Sequence, residues 1–330
     1  MPYFPASNLT SGTGLTHMAQ VFYDRIALSA LRKKFMFWKG VETRTLPKKN
    51  GKTIQFYRVQ ELGANTNPAN EGDVGSGISL SSTTLQATVA QYCDFMSFSD
   101  MLVDTAIDGD IVAVGADKLG YRAGLTFDTI NRNEVDANAA SVDVPLLSDY
   151  LTGMDLAGLA TRLDGLDIQP MANGFYQVIM HPYVRYDFIH DPQVGGFIDI
   201  EKRGAGENQD ALYDVVGGNG GFVARWGGCE VWASTNVTLA ATGPNKWRTY
   251  IFGAEALGAI DLAGRGPTRT EDQNKQKFSI HVENNIGPTV ATPEGKIRAF
   301  CSYNVVYVAK TLHANPFRYR KIDATTSLGL

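Results

Sequence analysis

Hydrophobic and polar positions alternate along residues 53–60 (TIQFYRVQ) and again along residues 84–98. Period-two alternation with β-branched and aromatic residues predicts two strands. Ile54, Phe56 and Arg58 share one side of the first, and Leu85, Ala87 and Val89 one side of the second. Between them residues 61–83 are rich in Gly, Asn, Pro, Asp and Ser and nearly devoid of large apolar side chains. A loop that long is unusual inside a compact domain. The two strands and their polar tip therefore predict a long protruding hairpin. A two-stranded ribbon is marginal in water, so this one is expected to lie on a partner.

The period then lengthens. Ile111, Val114, Leu119, Leu125, Phe127, Ile130 and Val135 are the apolar anchors of a helical pattern from Gly109 to about Ala139. The prediction is one helix on the order of 46 Å long. Gly115, Gly120 and Gly124 sit within it. They mark a bend, a close packing contact, or a break into two helices. Further on, the pattern predicts helices over residues 148–165 and 182–189 and a compact buried strand over 175–180. It also predicts strands over 197–200, 278–284 and 297–310, and strand-rich stretches over 222–235 and 248–262. Residues 204–221 and 265–277 read as loops, and 311–330 as a closing tail. Before the hairpin, residues 1–14 read as extended. A short amphipathic helix follows, capped at Thr16, with Met18, Val21, Phe22, Leu28, Leu31 and Phe35 on its apolar stripe. Arm, hairpin, long helix, mixed body and late-returning strand describe an α+β chain, without regular βαβ alternation.

Charge sharpens one part of this picture. Residues 1–50 hold eight basic and two acidic side chains, whereas the remaining 280 hold 22 and 32. A basic arm on an acidic body either meets nucleic acid or a neighbouring acidic body, or is a solvated cluster. Across all 330 residues the net charge is −4, with 44% hydrophobic and 19% charged residues. That describes a folded chain without an overall basic signature for nucleic acid. Three scattered cysteines, Cys93, Cys229 and Cys301, form no CxxC pair and fit free thiols in a reducing compartment. No secretory signal pattern and no membrane-length apolar run is present.

Catalytic patterns are absent. Gly51-Lys52-Thr53 ends like a phosphate-binding loop, but Leu46 stands where that motif needs glycine, and a strand follows in place of a helix. The glycine cluster at 217–221 completes no dinucleotide fingerprint. His17, His181, His190, His281 and His313 show no metal-ligand spacing. Asp104, Asp108 and Asp110 fit a helix N-terminus, where acids favour the dipole. The expectation is a non-enzyme without catalytic, cofactor or metal residues.

Several segments resemble the major capsid proteins of tailed double-stranded DNA phages, most closely the coliphage N-four-type family. Residues 46–56 (LPKKNGKTIQF) are similar to that family's lead-in to an extended hairpin, and Leu85 to Phe98 to its returning strand. Asp128-Thr129-Ile130-Asn131-Arg132 stands where its long helix carries a polar run. Met180-His181-Pro182, residues 196–202 (GFIDIEK) and 250–258 (YIFGAEALG) resemble its second half. The resemblance covers most of the chain and rests on order and spacing.

The resemblance implies a Hong Kong 97-like fold. Residues 1–45 would be an N-terminal arm and 46–99 an extended loop. Residues 100–141 would hold the spine helix of a peripheral domain and 142–270 mostly an axial domain. Residues 271–330 would return to the peripheral sheet and finish the axial domain. The function implied is a shell subunit that assembles into hexamers and pentamers around phage DNA. Its implied partners are further copies of itself, a separate scaffolding protein, a portal protein, a decoration protein and non-specifically held DNA, with no membrane. Its place is the virion shell, assembled in the bacterial cytoplasm, without maturation cleavage or covalent cross-links. Phe22, Phe35, Trp38, Phe56, Arg58, Asn67 and Glu71 are the candidate inter-subunit contacts. Arg32, Lys33 and Lys34 are the candidate DNA-facing residues. The rival readings are another virion protein, such as a decoration or tail-tube subunit, and an enzyme with a dispersed site.

Overall fold

The computed structural model describes residues 36–47, 51–59, 62–66, 68, 71–72, 77–106, 110–137, 150–190, 221–240, 245–262, 279–283, 298–313 and 318–328. The predicted N-terminal helix, the 197–200 strand and the loops at 204–220 and 265–277 lie outside these residues. The described strands form two five-stranded sheets and one two-stranded ribbon.

The first sheet collects strands far apart in sequence: β1 (Val41–Leu46), β4 (Ala90–Ser99), β9 (Leu257–Leu262), β10 (Ser279–Glu283) and β11 (Arg298–Thr311). β1 runs parallel to β9, and β11 pairs antiparallel with β4, β9 and β10. On one face lies α2 (Ile111–Ala137), a single unbroken helix of 27 residues, about 40 Å long. Its Val112, Ala116, Leu119, Ala123 and Phe127 interlock with Ala299, Cys301, Tyr303, Val305 and Tyr307 of β11. Asp110 accepts hydrogen bonds from the Val112 and Ala113 N–H groups and caps its start. The helix is single, as predicted, and the alternative of a break at the glycines does not occur. A methyl group on Gly115 would stand 2.4 Å from the Phe98 ring of β4, so glycine there lets helix and strand approach. The short α1 (Asp100–Thr105) links β4 to this helix and is capped by Ser99.

The second sheet has the order β12-β8-β5-β7-β6. Its strands are β5 (Tyr176–Met180), β6 (Phe222–Trp226), β7 (Cys229–Ala233), β8 (Lys246–Phe252) and β12 (Tyr319–Thr325). α3 (Gly153–Asp164) and α4 (Pro182–Ile189) cover one face, bringing Leu156, Leu159, Leu163, Val184 and Phe188 onto Val178, Met180, Val231, Ile251 and Ile322. Local chemistry starts both helices. Thr152 and Asp155 form a reciprocal capping box, and His181 caps α4 with Pro182 in its first turn. The opposite face presents Ile179, Tyr250, Phe252 and Tyr319 to Val135 near the end of α2.

Polar contacts fasten α2 to this second sheet. Asp136 accepts hydrogen bonds from Thr238 Oγ1 (2.5 Å), Arg248 (3.0 Å) and Tyr250 Oη (3.0 Å). Arg248 also reaches Asp323 of β12 at 3.4 Å. Two sequence expectations need correction. Residues 84–98 are two strands, β3 (Ser82–Thr88) and β4, divided at Val89, because β3 pairs with β2 (Thr53–Val59) and β4 with β11. The closing tail contains a full strand, β12, paired with β8 over seven residues.

Candidate assembly surfaces

The ribbon of β2 and β3 runs antiparallel from Thr53 opposite Thr88 to Val59 opposite Ser82. Seven residues per strand make it about 23 Å long. Its root is fixed to the body: Leu46, Phe56, Ala87, Val89, Ile260 and Val306 form a small core there, and the Val89 N–H donates to the Lys52 carbonyl. Arg44 of β1 lies over the Phe56 ring at 5.0 Å. Farther out the apolar side chains face solvent. Tyr57 is 69% exposed, and Val59, Leu62, Ile78 and Leu80 are all more than half exposed.

A second open surface is the face of the first sheet turned away from α2. There Cys93, Phe95 and Ser97 of β4 stand beside Asn304, Ser302 and Phe300 of β11. Phe95 is 67% exposed. Exposed large apolar residues gathered on a ribbon and a sheet face make these two the candidate surfaces.

Phe56 is 7% exposed and belongs to the hairpin's own root, so little of it is left for a neighbour. Trp38 is half-buried against Tyr307, with ring centroids 6.1 Å apart. Glu71 is exposed at the hairpin tip. Phe22, Phe35, Asn67, the Arg58 side chain, Arg32, Lys33 and Lys34 lie outside the described residues. Tyr57, Val59, Ile78, Leu80 and Phe95, exposed in the structure, are not among the sequence candidates. Alternation in β2 separates Phe56 from Tyr57, but it does not say which of the two faces the body.

Chemical groups are held in structural roles. His181 stacks on Trp247 (3.7 Å between centroids, 7° between planes) and accepts the Tyr183 N–H on Nδ1. Burial lowers its pKa to about 4. Burial pushes the Cys229 thiol up to about 12, with the nearby Asp164 charge adding, and the Cys301 thiol up to about 11. Both therefore stay protonated near neutrality. Gly51-Lys52-Thr53 opens a strand, not a helix. Among the described residues no group of three or more His, Cys, Asp or Glu is placed to hold a metal. No described helix is long and apolar enough to cross a membrane.

No protein-family model matches the sequence, and no curated protein does. Solved structures do match. The capsid of Ralstonia phage GP4 aligns at a TM-score of 0.62 with 12% identity, covering 87% of each chain. The capsid of cyanophage P-SCSP1u aligns at 0.54 with 16% identity, covering 99% of this chain and 100% of that one. The SrpI encapsulin of Synechococcus elongatus PCC 7942 aligns at 0.54 with 11% identity, covering 91% of each. The spine helix against a five-stranded sheet, the hairpin beside it and the second sheet with its two helices together are an α+β, Hong Kong 97-like capsid protein fold.

Proposed function

We propose that this chain is the major capsid protein of a tailed double-stranded DNA phage, a structural subunit that assembles with copies of itself into hexamers, pentamers and an icosahedral head. The observation that carries this reading is the protruding hairpin with exposed Tyr57, Val59, Ile78 and Leu80, on a fold shared over nearly the whole chain with phage capsids. A two-stranded ribbon with uncovered apolar side chains gains stability only against a partner. In a shell that partner is the next subunit, and a head-to-tail contact repeated with a closing rotation produces rings. Contacts of this obligate kind commonly bury more than about 2,000 Å².

On this reading residues 1–45 are the arm, 46–99 the extended loop, 100–141 the peripheral domain's spine segment, 142–270 mostly the axial domain, and 271–330 the return. Glu71 at the tip contacts a neighbour. Arg32, Lys33 and Lys34 face packaged DNA through phosphates, independent of sequence and sensitive to salt. A separate scaffolding protein, a portal and a decoration protein complete the head, which assembles in the host cytoplasm. The finer relationship, carried by the sequence resemblance, is to the coliphage N-four-type family. The chain carries no catalytic role.

A second reading is a closed protein compartment outside a virion, favoured by the encapsulin that matches over 91% of the chain. Electron microscopy of the chain expressed with its neighbouring reading frames tests both. Closed isometric shells that a portal and packaging machinery fill with DNA support the phage head. Shells that close without either and hold protein support the compartment. Small monodisperse particles only, even with a scaffold present, would remove both.

A further inference from the structure

The chain enters the body between the two sheets. Phe37 is fully buried against the second sheet, with ring centroids 5.2 Å from Tyr250 and 6.4 Å from Phe252. The next residue, Trp38, packs on Tyr307 of the first sheet. Val41 touches the apolar clusters of both, and β1 follows at once, paired with β9. Consecutive side chains thus sit in the two halves of the molecule, like a wedge in a joint.

One carboxylate closes that joint. Asp128 of α2 is fully buried. Its Oδ1 accepts the backbone N–H groups of Met36 (2.9 Å) and Phe37 (2.8 Å). Its Oδ2 accepts Asn236 Nδ2 at 2.8 Å. Asn236 lies just beyond β7 of the second sheet and turns its Oδ1 to Arg132, one turn along α2, at 2.9 Å. Arg132 also donates to the Asn236 carbonyl at 3.1 Å. The groups facing Asp128 are therefore two arm-root amides, Asn236 and Arg132, and of these only Arg132 is charged. Burying a carboxylate costs several kcal/mol unless its lone pairs are filled. Burial raises the Asp128 pKa, and the Asn236, Phe37 and Met36 hydrogen bonds and the Arg132 charge oppose that rise. Removing any one donor leaves a desolvated charge under-satisfied, so the three attachments hold or release together.

We propose that Asp128 is a clasp that couples the root of the N-terminal arm to the angle between the two sheets, so that tension on the arm is transmitted to the whole subunit. The Asp128 contacts rest on the geometry of this chain alone, and the arm that would pull on them, gripped by a neighbouring subunit, rests on the shell reading above.

The test uses the unassembled full-length chain, which keeps its outcome separate from shell formation. Spin labels go on the exposed native Cys93 of the first sheet and on a Met154→Cys substitution in exposed α3, while buried Cys229 and Cys301 stay unlabelled. Asp128→Asn turns two amide NH₂ groups toward each other, or forces Asn236 to flip and abandon Arg132. We expect exchange of the Met36 and Phe37 amides to rise at least tenfold and the label distance distribution to broaden. The double variant Asp128→Asn with Asn236→Asp reverses only the hydrogen bond between residues 128 and 236, leaves Met36, Phe37 and Arg132 as donors, and should restore both readouts. If Asp128→Asn does not fold, Phe37→Leu, which keeps the backbone bonds but thins the wedge, should broaden the distances by itself. Faster amide exchange with an unchanged distance distribution would overturn the coupling. So would unchanged exchange, a failure of the double variant to rescue, or an unbroadened distribution in Phe37→Leu.

Discussion

His181 shows how a single residue ties acidity to folding. Its folded pKa of about 4 lies below the unfolded value of 6.5. A depressed pKa means the neutral ring is favoured by folding. That contribution is fully present above about pH 6.5 and is lost as pH falls toward 4. At full effect it amounts to about 3 kcal/mol. His181→Asn keeps an N-cap acceptor but removes both the titration and the Trp247 stack. Denaturant melts should find the wild type ahead at pH 7.5, with the gap narrowing steadily to pH 4.5; a constant gap would rule the mechanism out. At Gly115 the methyl of alanine gains about 1 kcal/mol of helix propensity. It also meets the Phe98 ring at 2.4 Å, and overpacking costs about 1–3 kcal/mol. Gly115→Ala should therefore lower stability on balance. Combined with Phe98→Ala the penalty should shrink, a coupling that a double-mutant cycle reads directly.

Among the elements, the hairpin divides into an anchored root and an open outer part. Replacing Tyr57 and Leu80 together with Ser should leave the thermal midpoint of the isolated chain nearly unchanged, because neither supports the body. The same pair should abolish or misdirect assembly as seen by electron microscopy; normal shells would mean that the outer hairpin face is not an interface. Elements that announce themselves by local chemistry were legible in the sequence. The strand at 53–59 has its alternation, the helix at 182–189 its His-Pro start, and α2 its sustained apolar face. β1 and β12 were not, because VETRTL and YRKIDAT are mostly polar and become strands by pairing with β9 and β8. The division at Val89 was hidden for the same reason, since it reflects a change of partner and not of composition. The candidate surfaces were legible as a hairpin but not as a face. Phe56 is buried and Trp38 half-buried within the chain, whereas Tyr57 and Phe95 are exposed.

For the whole molecule, α2 is the beam from which both sheets hang, and Asp136 is a second polar joint to the second sheet beside Asp128. Arg248→Ala would leave the Asp136 carboxylate in a mostly buried position with the Thr238 and Tyr250 donors but without the Arg248 ion pair. The expected loss is about 3 kcal/mol in a chemical melt; a change below about 0.5 kcal/mol would place the strength of the joint in its apolar contacts. The first sheet carries a consequence for the making of the protein. β1 is synthesised among the first fifty residues, yet its partner begins at Leu257, and β4 waits for a partner that begins at Arg298. At roughly 5–20 residues per second a ribosome needs on the order of 10–40 s to cover that interval. Throughout it the hairpin has no finished root, because Ile260 and Val306 belong to that root. A nascent or prematurely terminated chain therefore cannot present a finished hairpin root, and on the shell reading proposed above a translation fragment ending before β11 should be unable to poison a growing shell.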